Sequence, residues 1–548
     1  MTSNGSSIMI EDQTQKTTAS EPHGRYTTVP PMLISRFLSK KKVGLCVLLI
    51  ILIHLAIRLW GFSGIHDPDE ILYSEAARQL QAGQYVGQNH YSVRYMILVP
   101  LAITQMFFGI NEYACAVTPM IYSLACLGLI YLIGKIYAGQ KVGLIAAALW
   151  AVFPLDIIQA TELHLDVPLT MFLGLCVYAL IRGERTSGRN QQMLFILAGV
   201  ALGFAYLAKE VGLVLLMFLS IRALWRRVWH RGYFLIALGL LTVVGLEMAW
   251  FGILTGNPLY RVSPNVWAQH ADLMHADVTS PLAWMSEYAE MLMNPLSTRS
   301  VYFTGFFILV LVGTLWGWYA RDRAVMELSV WWMSILAVFN FAPLDTTFQH
   351  PLFQHYPRTI HPIFMPGLVI VAYTIAHHLA SSLRIVSVLC CLLPVVLVSV
   401  WLNRLENRQF AESARQSVAL AQSLPGDVAI VTDPLLIWKL RFYYEFQNKK
   451  IERLVAFDAS HNPGPALWVY DPISLEYTMR YWGRPKGGPP PLPDCPMVQL
   501  GVNGVPAFAR KLISASGVIV RGADRVLRRW DREPAKIFLC LGGSRSGS

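Results

Sequence analysis

Eleven apolar runs separated by short polar loops constrain this chain more than any other feature. After a basic cluster at Arg36, Lys40, Lys41 and Lys42, the first run is VGLCVLLIILIHLAIRLW. Further runs lie near 113–134, 141–157, 165–182, 191–208, 210–224, 233–254, 301–320, 327–343, 360–379 and 384–402. A helix needs roughly 20 apolar residues to cross a hydrocarbon core of about 30 Å, so these runs predict a mainly α, polytopic integral membrane protein. The first run is long and no small-x-small cleavage site follows it, so it is expected to remain as an anchor. Of the 548 residues 54% are hydrophobic and 14% charged, against roughly a quarter charged in soluble domains. That excludes a disordered chain and a simple soluble enzyme. The formal charge of +11 does not point to nucleic acid, because the basic residues sit between apolar runs rather than in one patch.

Lys and Arg in short loops mark the cytoplasmic side. Arg36 to Lys42, Lys135 with Lys141, Arg182 to Arg189, Arg222 to Arg231, Arg321 with Arg323, and Arg384 share that side if the chain crosses eleven times. The apolar segment 94–110, RYMILVPLAITQMFFGI, would break this parity if it crossed, so it is expected to be an interfacial or re-entrant helix. Lys209 and Glu210 interrupt the stretch 193–221 at its middle, where a bare charge costs roughly 2.5–3.5 kcal/mol. Two short helices meeting outside avoid that cost.

The expected organisation is a disordered cytoplasmic tail 1–36, a transmembrane domain 37–402 with external loops at 61–112 and 255–300, and a small external α/β domain 403–548. In the last, DVAIVTD and ALWVYD read as strands, LLIWKLRFYYEF as a helix and GRPKGGPPPLPDCP as a loop. Six of the eight cysteines lie in apolar runs as packing residues. Cys495 and Cys540 lie in the tail, where an oxidising compartment permits a bridge.

The first external loop, GIHDPDEILYSEAARQLQAGQY, crowds Asp67, Asp69, Glu70 and Glu75 at the membrane surface. Carboxylates held there can take a proton from a hydroxyl or bind a divalent cation. The plainer reading is a capped surface helix with Asp69 near its N-terminus. A second group, Glu162, His164 and Asp166 in ATELHLDVP, suits a metal ion, or else is a polar loop in which Asp166 caps the helix opened by Val167 and Pro168. Arg94, Lys209 and Arg358 fall on the same side and can hold phosphate oxygens. Snorkelling to headgroups is the alternative for Arg94 and Arg358. Glu247, inside a run, is either paired or lines a cavity.

These motifs resemble the GT-C glycosyltransferases that use polyprenyl-phosphate sugars, including protein O-mannosyltransferases (glycosyltransferase family 39) and the lipid A aminoarabinose transferase. The resemblance spans about residues 43 to 380. It is carried by Asp69-Glu70 with Tyr73, Glu75 and Arg78 in DPDEILYSEAARQL, and by VRYMILVPLAITQMFFGINEYACAVTP, LHLDVPLTMFL, AYLAKEVGLVLL, WFGILTGNPLYR and YPRTIHPIFMP. Two places depart from the pattern: Val93, Arg94 and Tyr95 stand where Lys-Pro or Pro-Pro often opens the interfacial helix, and Glu210 follows Lys209 where Gly is frequent.

The resemblance implies a GT-C fold of about eleven transmembrane helices plus interfacial helices. It also implies an inverting transfer of one sugar from a polyprenyl-phosphate donor to a hydroxyl of a lipid, glycan or protein acceptor. Asp69 and Glu70 would be catalytic, Glu162, His164 and Asp166 would bind acceptor or metal, and Arg94, Lys209 and Arg358 would bind the donor phosphate. No cofactor is certain; a divalent metal cation is admitted at Asp69, Glu70 and Asp166. The expected location is a bacterial inner membrane with the loops and tail periplasmic or extracellular, or alternatively the endoplasmic reticulum. A lipid or glycolipid transporter or flippase is the rival class. It is disfavoured because the charges collect in loops rather than in the middle of spans, and because no internal repeat is present.

Overall fold

The computed structural model describes residues 40–65, 67–84, 89–226, 231–263, 281–293, 305–342, 356–378, 382–424, 428–444, 454–457, 465–472, 495–500 and 535–540, with a few isolated positions besides. The expected tail 1–36, half of the loop 255–300 and nearly all of the Pro/Gly-rich segment lie outside these residues. The chain divides into Met1–Cys46, of which Lys40–Cys46 is described as helix, and Val47–Ser548.

Every apolar run forms helix. In order these are α1 (Lys40–Gly61), α2 (Pro68–Gln81), α3 (Tyr95–Phe108), α4 (Glu112–Ala138), α5 (Gln140–Ala151), α6 (Pro154–Gln159), α7 (Asp166–Glu184), α8 (Arg189–Ala208), α9 (Leu215–Arg226) and α10 (Arg231–Thr255). They continue with α11 (Pro281–Met293), α12 (Phe306–Tyr319), α13 (Arg323–Phe341), α14 (Phe364–His378) and α15 (Ser382–Ser423). Among the described residues seven helices are long and apolar enough to cross a membrane: α1, α4, α7, α8, α10, α13, and a 3₁₀ turn Pro357–Ile363 running into α14. The runs at 141–157, 210–224 and 301–320 give shorter helices, α5 and α9 of 12 residues and α12 of 14. At 1.5 Å per residue α9 reaches only about 18 Å.

The segment expected not to cross is α3, 14 residues with Pro100 inside it. Proline has no N–H to give to the carbonyl four residues back. Tyr122 of α4 donates its hydroxyl to that carbonyl, Met96 O, at 2.5 Å, and so fastens α3 to α4. α8 and α10 approach closely at glycines: a Cβ on Gly199 would lie 2.0 Å from Ile236 O, and one on Gly239 2.5 Å from Ile196 O. At the far end of α7, Glu184 and Glu327 bind Arg222 and Arg226, and Tyr137 donates to Glu327 at 2.9 Å. That network joins α4, α7, α9 and α13.

The tail is a mixed sheet of β1 (Ala429–Thr432), β2 (Leu454–Ala456), β3 (Ala466–Tyr470), β4 (Met497–Leu500) and β5 (Lys536–Cys540), with α16 (Pro434–Tyr443) after β1. The strand order is β2-β1-β3-β5-β4; β1 is parallel to β2 and β3, and β5 is antiparallel to β3 and β4. Both predicted strands and the predicted helix are present. Cys495 and Cys540 form a disulfide beside β4 and β5. Cys115, Cys126 and Cys176 are buried and free.

α15 runs unbroken for 42 residues across the position, near 402, where the membrane domain was expected to end. The composition changes there, but the helix continues: Pro394 lies inside its apolar half, and no glycine or proline stands between 395 and 423 to stop it. One apolar core holds Ile71, Tyr73 and Ala77 of α2, Ile97 and Leu101 of α3, Leu163, and the tail residues Val418, Ile430, Leu440 and Leu467. The tail thus packs directly beneath the first acidic loop.

Candidate active site

The two acidic loops meet through Glu70. Asp67, not Asp69, caps α2: its side chain accepts from the Asp69 N–H at 3.0 Å, while Glu70 accepts from the Asp67 N–H at 3.0 Å, a capping box with Pro68 in the first turn. The other oxygen of Glu70 accepts from the Leu163 N–H at 3.1 Å, and Glu70 is fully buried. Its carboxylate therefore points into the protein, away from Asp69.

Asp69 accepts from the Tyr91 hydroxyl at 2.7 Å and from Arg358 at 3.1 Å. Across from it, Gln159 at the end of α6 donates to Glu162 at 2.9 Å and meets His164 Nδ1 at 2.9 Å. His164 Nε2 stands 2.6 Å from Arg358 Nη1 and 3.4 Å from Asp67. The ligand atoms of Asp67, Asp69 and His164 lie within 4.8 Å of one another, with the Arg358 guanidinium across them. Two carboxylates and an imidazole suit a divalent cation. The set differs from the expected Asp69, Glu70 and Asp166, because Glu70 holds backbone N–H groups and Asp166 binds Lys209 at 2.9 Å.

Asp166 is the first residue of α7 and makes no cap; its ion pair with Lys209 replaces the capping role. Lys209 is extended between α8 and the 3₁₀ turn Glu210–Val214, so the predicted break is present. Glu210 does not neutralise its neighbour. It pairs with Arg94 and, at 2.6 Å, with Arg261, which also binds Glu247 at 2.7 Å and donates to Val93 O at 2.5 Å. Glu247 is accordingly paired. The side chains of Arg94 and Arg261 are 5% and 3% exposed, those of Lys209 and Arg358 23% and 25%. Lys209 and Arg358 are therefore the two that an incoming ligand can reach.

Burial pushes the Asp67 carboxyl up, but a hydrogen bond with His164, the charge of Arg358 and the Asp69 N–H outweigh it and hold it well below the usual carboxylate range. Burial and Arg358 oppose a proton on His164, whereas Asp67 and Glu162 favour one and prevail, so its pKa is raised. Arg358 and Asp67 compete for Nε2: facing the guanidinium at 2.6 Å the nitrogen accepts, and donating a proton to Asp67, 3.4 Å away, requires the guanidinium to step back. Burial and Asp69 push the Tyr91 hydroxyl up, so it donates to Asp69. Tyr91, Gln159 and Arg261 were not singled out as site residues by sequence reasoning. Arg261 lay within WFGILTGNPLYR, but nothing in that segment names Glu210 as its partner.

The bundle of apolar helices, the two acidic loops joined through Glu70 and the small mixed sheet packed on the first of them together have the GT-C fold, as comparison with solved structures shows. Residues 95–250 match the sequence model of the family described as dolichyl-phosphate-mannose-protein mannosyltransferase. The structure is similar to the crystal structure of ArnT from Cupriavidus metallidurans in the apo state, at 15% identity, 79% of this chain and 94% of that chain covered, TM-score 0.55. It is similar also to ArnT from the same organism bound to undecaprenyl phosphate, at 13% identity, 79% and 94% covered, TM-score 0.55. At these identities the likeness is one of fold. No curated protein matches the sequence.

Proposed function

We propose that this protein is an inverting glycosyltransferase that moves one sugar from a polyprenyl-phosphate donor to a hydroxyl of a lipid, glycan or protein. The observation that carries the reading is the partly exposed Asp69 paired with the reachable Arg358, with a second reachable cation, Lys209, held by Asp166 of the other acidic loop. The match of residues 95–250 to the mannosyltransferase family supports the reaction class. ArnT with undecaprenyl phosphate supports the donor class.

In this reading the acceptor hydroxyl gives its proton to Asp69 as its oxygen bonds to the anomeric carbon. The bond from that carbon to the phosphate oxygen breaks, and the electron pair leaves on the polyprenyl phosphate. Lys209 and Arg358 offset the charge gained there. Arg94, buried against Glu210, is assigned to holding the turn that presents Lys209, and Glu70 to fixing the two loops. Asp67, Asp69 and His164 would hold a divalent cation, which supplies further positive charge; Arg358 occupies that ground in this structure. The Cys495–Cys540 disulfide supports an oxidising side of the membrane for the tail, which fits a periplasmic, extracellular or luminal face.

Mass spectrometry of polyprenyl-phosphate sugars and products, in membranes carrying wild type or Asp69→Asn, tests the reading. Donor consumed only with wild type supports it, and the product mass identifies the sugar. Unchanged donor with both proteins, where donor and acceptor are present, refutes it.

A further inference from the structure

Beneath the site lies a second polar cluster, fully buried and unused by the chemistry above. Asp156 of α6 binds Arg58 of α1, accepts from Ser123 of α4 at 2.6 Å and meets His361 Nε2 at 3.0 Å. Arg58 also donates to Ser123 at 3.0 Å and to the carbonyl of Ala151 at 3.0 Å. His361 Nδ1 lies 2.7 Å from the Thr170 hydroxyl, which donates to Asp166 O at 2.7 Å. The ring packs edge-on against Trp150, with centroids 5.3 Å apart. A buried ion pair of this kind is commonly no more stabilising than apolar packing of equal volume, so stability alone does not account for it.

Its placement does. His361 follows Arg358 by three residues in the same 3₁₀ turn, one full turn on. Asp156 precedes Gln159 by three residues in α6, and Gln159 holds Glu162 and His164. The two segments are therefore joined by two rungs: Arg358 to His164 at the site, and His361 to Asp156 one turn below. Every group of the lower rung is fixed from other helices, by Arg58, Ser123 and Thr170. The upper rung is partly exposed, and Arg358 has three partners to choose among.

We propose that Asp156 and His361 are positioning residues whose contact sets the separation of these two segments and so aims Arg358 at Asp69 and His164. The part played by Arg358 in donor binding rests on the function proposed above; the positioning itself does not.

The test uses purified full-length protein as wild type, His361→Phe, Arg358→Ala and the double variant. Hydrogen–deuterium exchange reads the segments 356–363 and 160–166, and undecaprenyl phosphate is the binding probe. His361→Phe is expected to raise exchange severalfold in both segments while the far half of α7 is unchanged, and to weaken probe binding by roughly tenfold, the scale of lost supporting contacts. His361→Phe on top of Arg358→Ala should add no further loss of probe binding, and His361→Gln, whose amide can still reach Asp156, should restore both readouts. Unchanged exchange in 160–166, or losses that multiply in the double variant, would overturn the proposal. If His361→Phe does not fold, Asp156→Asn is expected to loosen both segments in the same way, and unchanged exchange there overturns the proposal equally. Loosened segments together with a wild type that binds no probe would refute the donor reading and uphold the positioning.

Discussion

Glu70 Oε1 accepts the backbone N–H of Leu163 at 3.1 Å, tying together two loops 93 residues apart in sequence. Removing it orphans that N–H and that of Asp67, and an unsatisfied buried donor costs about 1–3 kcal/mol. Glu70→Ala should lower the melting temperature in scanning fluorimetry, while Asp69→Asn should abolish transfer with the melting temperature unmoved. Equal destabilisation by the two would contradict this division of roles.

If Arg358 holds the ground of a cation at Asp67, Asp69 and His164, the two compete. Arg358→Ala should then bind Mn²⁺ more tightly than wild type and His164→Ala more weakly, as read by metal-induced thermal shift. Equal Mn²⁺ responses in all three would remove the cation from that position.

Burial raises the Glu210 carboxyl, but the charges of Arg94 and Arg261 prevail and hold it at about 2. A carboxylate depressed in the folded state stabilises fully above its ordinary value, near 4.5, and loses that contribution as pH falls toward 2. The melting-temperature advantage of wild type over Glu210→Gln should therefore be greatest at neutral pH and shrink between about 4.5 and 2. An advantage that grows on acidification would refute the bridge.

Arg415 of α15 binds Glu112 at 2.6 Å, Glu112 accepts from the Ile65 N–H at 3.1 Å, and Tyr443 donates to Ile65 O at 3.3 Å. With the shared core, these contacts predict that the tail and the first acidic loop unfold together. Calorimetry should show Arg415→Ala shifting that joint transition downward, not splitting off a separate tail transition.

Much of this was legible in the sequence because it is local. Apolar runs, basic loops and period-2 segments announce themselves within a window of twenty residues, and Lys209 and Glu210 broke their run visibly. What stayed hidden depends on distant partners. Asp156, Arg58 and His361 are single polar residues inside apolar stretches, and nothing nearby shows that they meet. Asp67 was read among four acids, yet the choice of cap turns on backbone geometry two residues earlier than Asp69. Glu70 looked like a catalytic neighbour because adjacency in sequence says nothing of which way a helical side chain faces. The continuation of α15 was missed because a shift in composition resembles a boundary even where, past Pro394, no glycine or proline stops the helix.

That helix sets how the tail can behave. Forty-two residues at 1.5 Å each make a shaft of about 63 Å, roughly twice the thickness of a hydrocarbon core. Each residue advances the helix by about 100°, so the azimuth of the faces gripped by β3 and α16 is dictated by the half packed against α6. The sheet is mounted on an axle rather than hung on a leash. It is displaced by tilting or rotating the shaft or by bending it at Pro394, and such motions would register in the helices below.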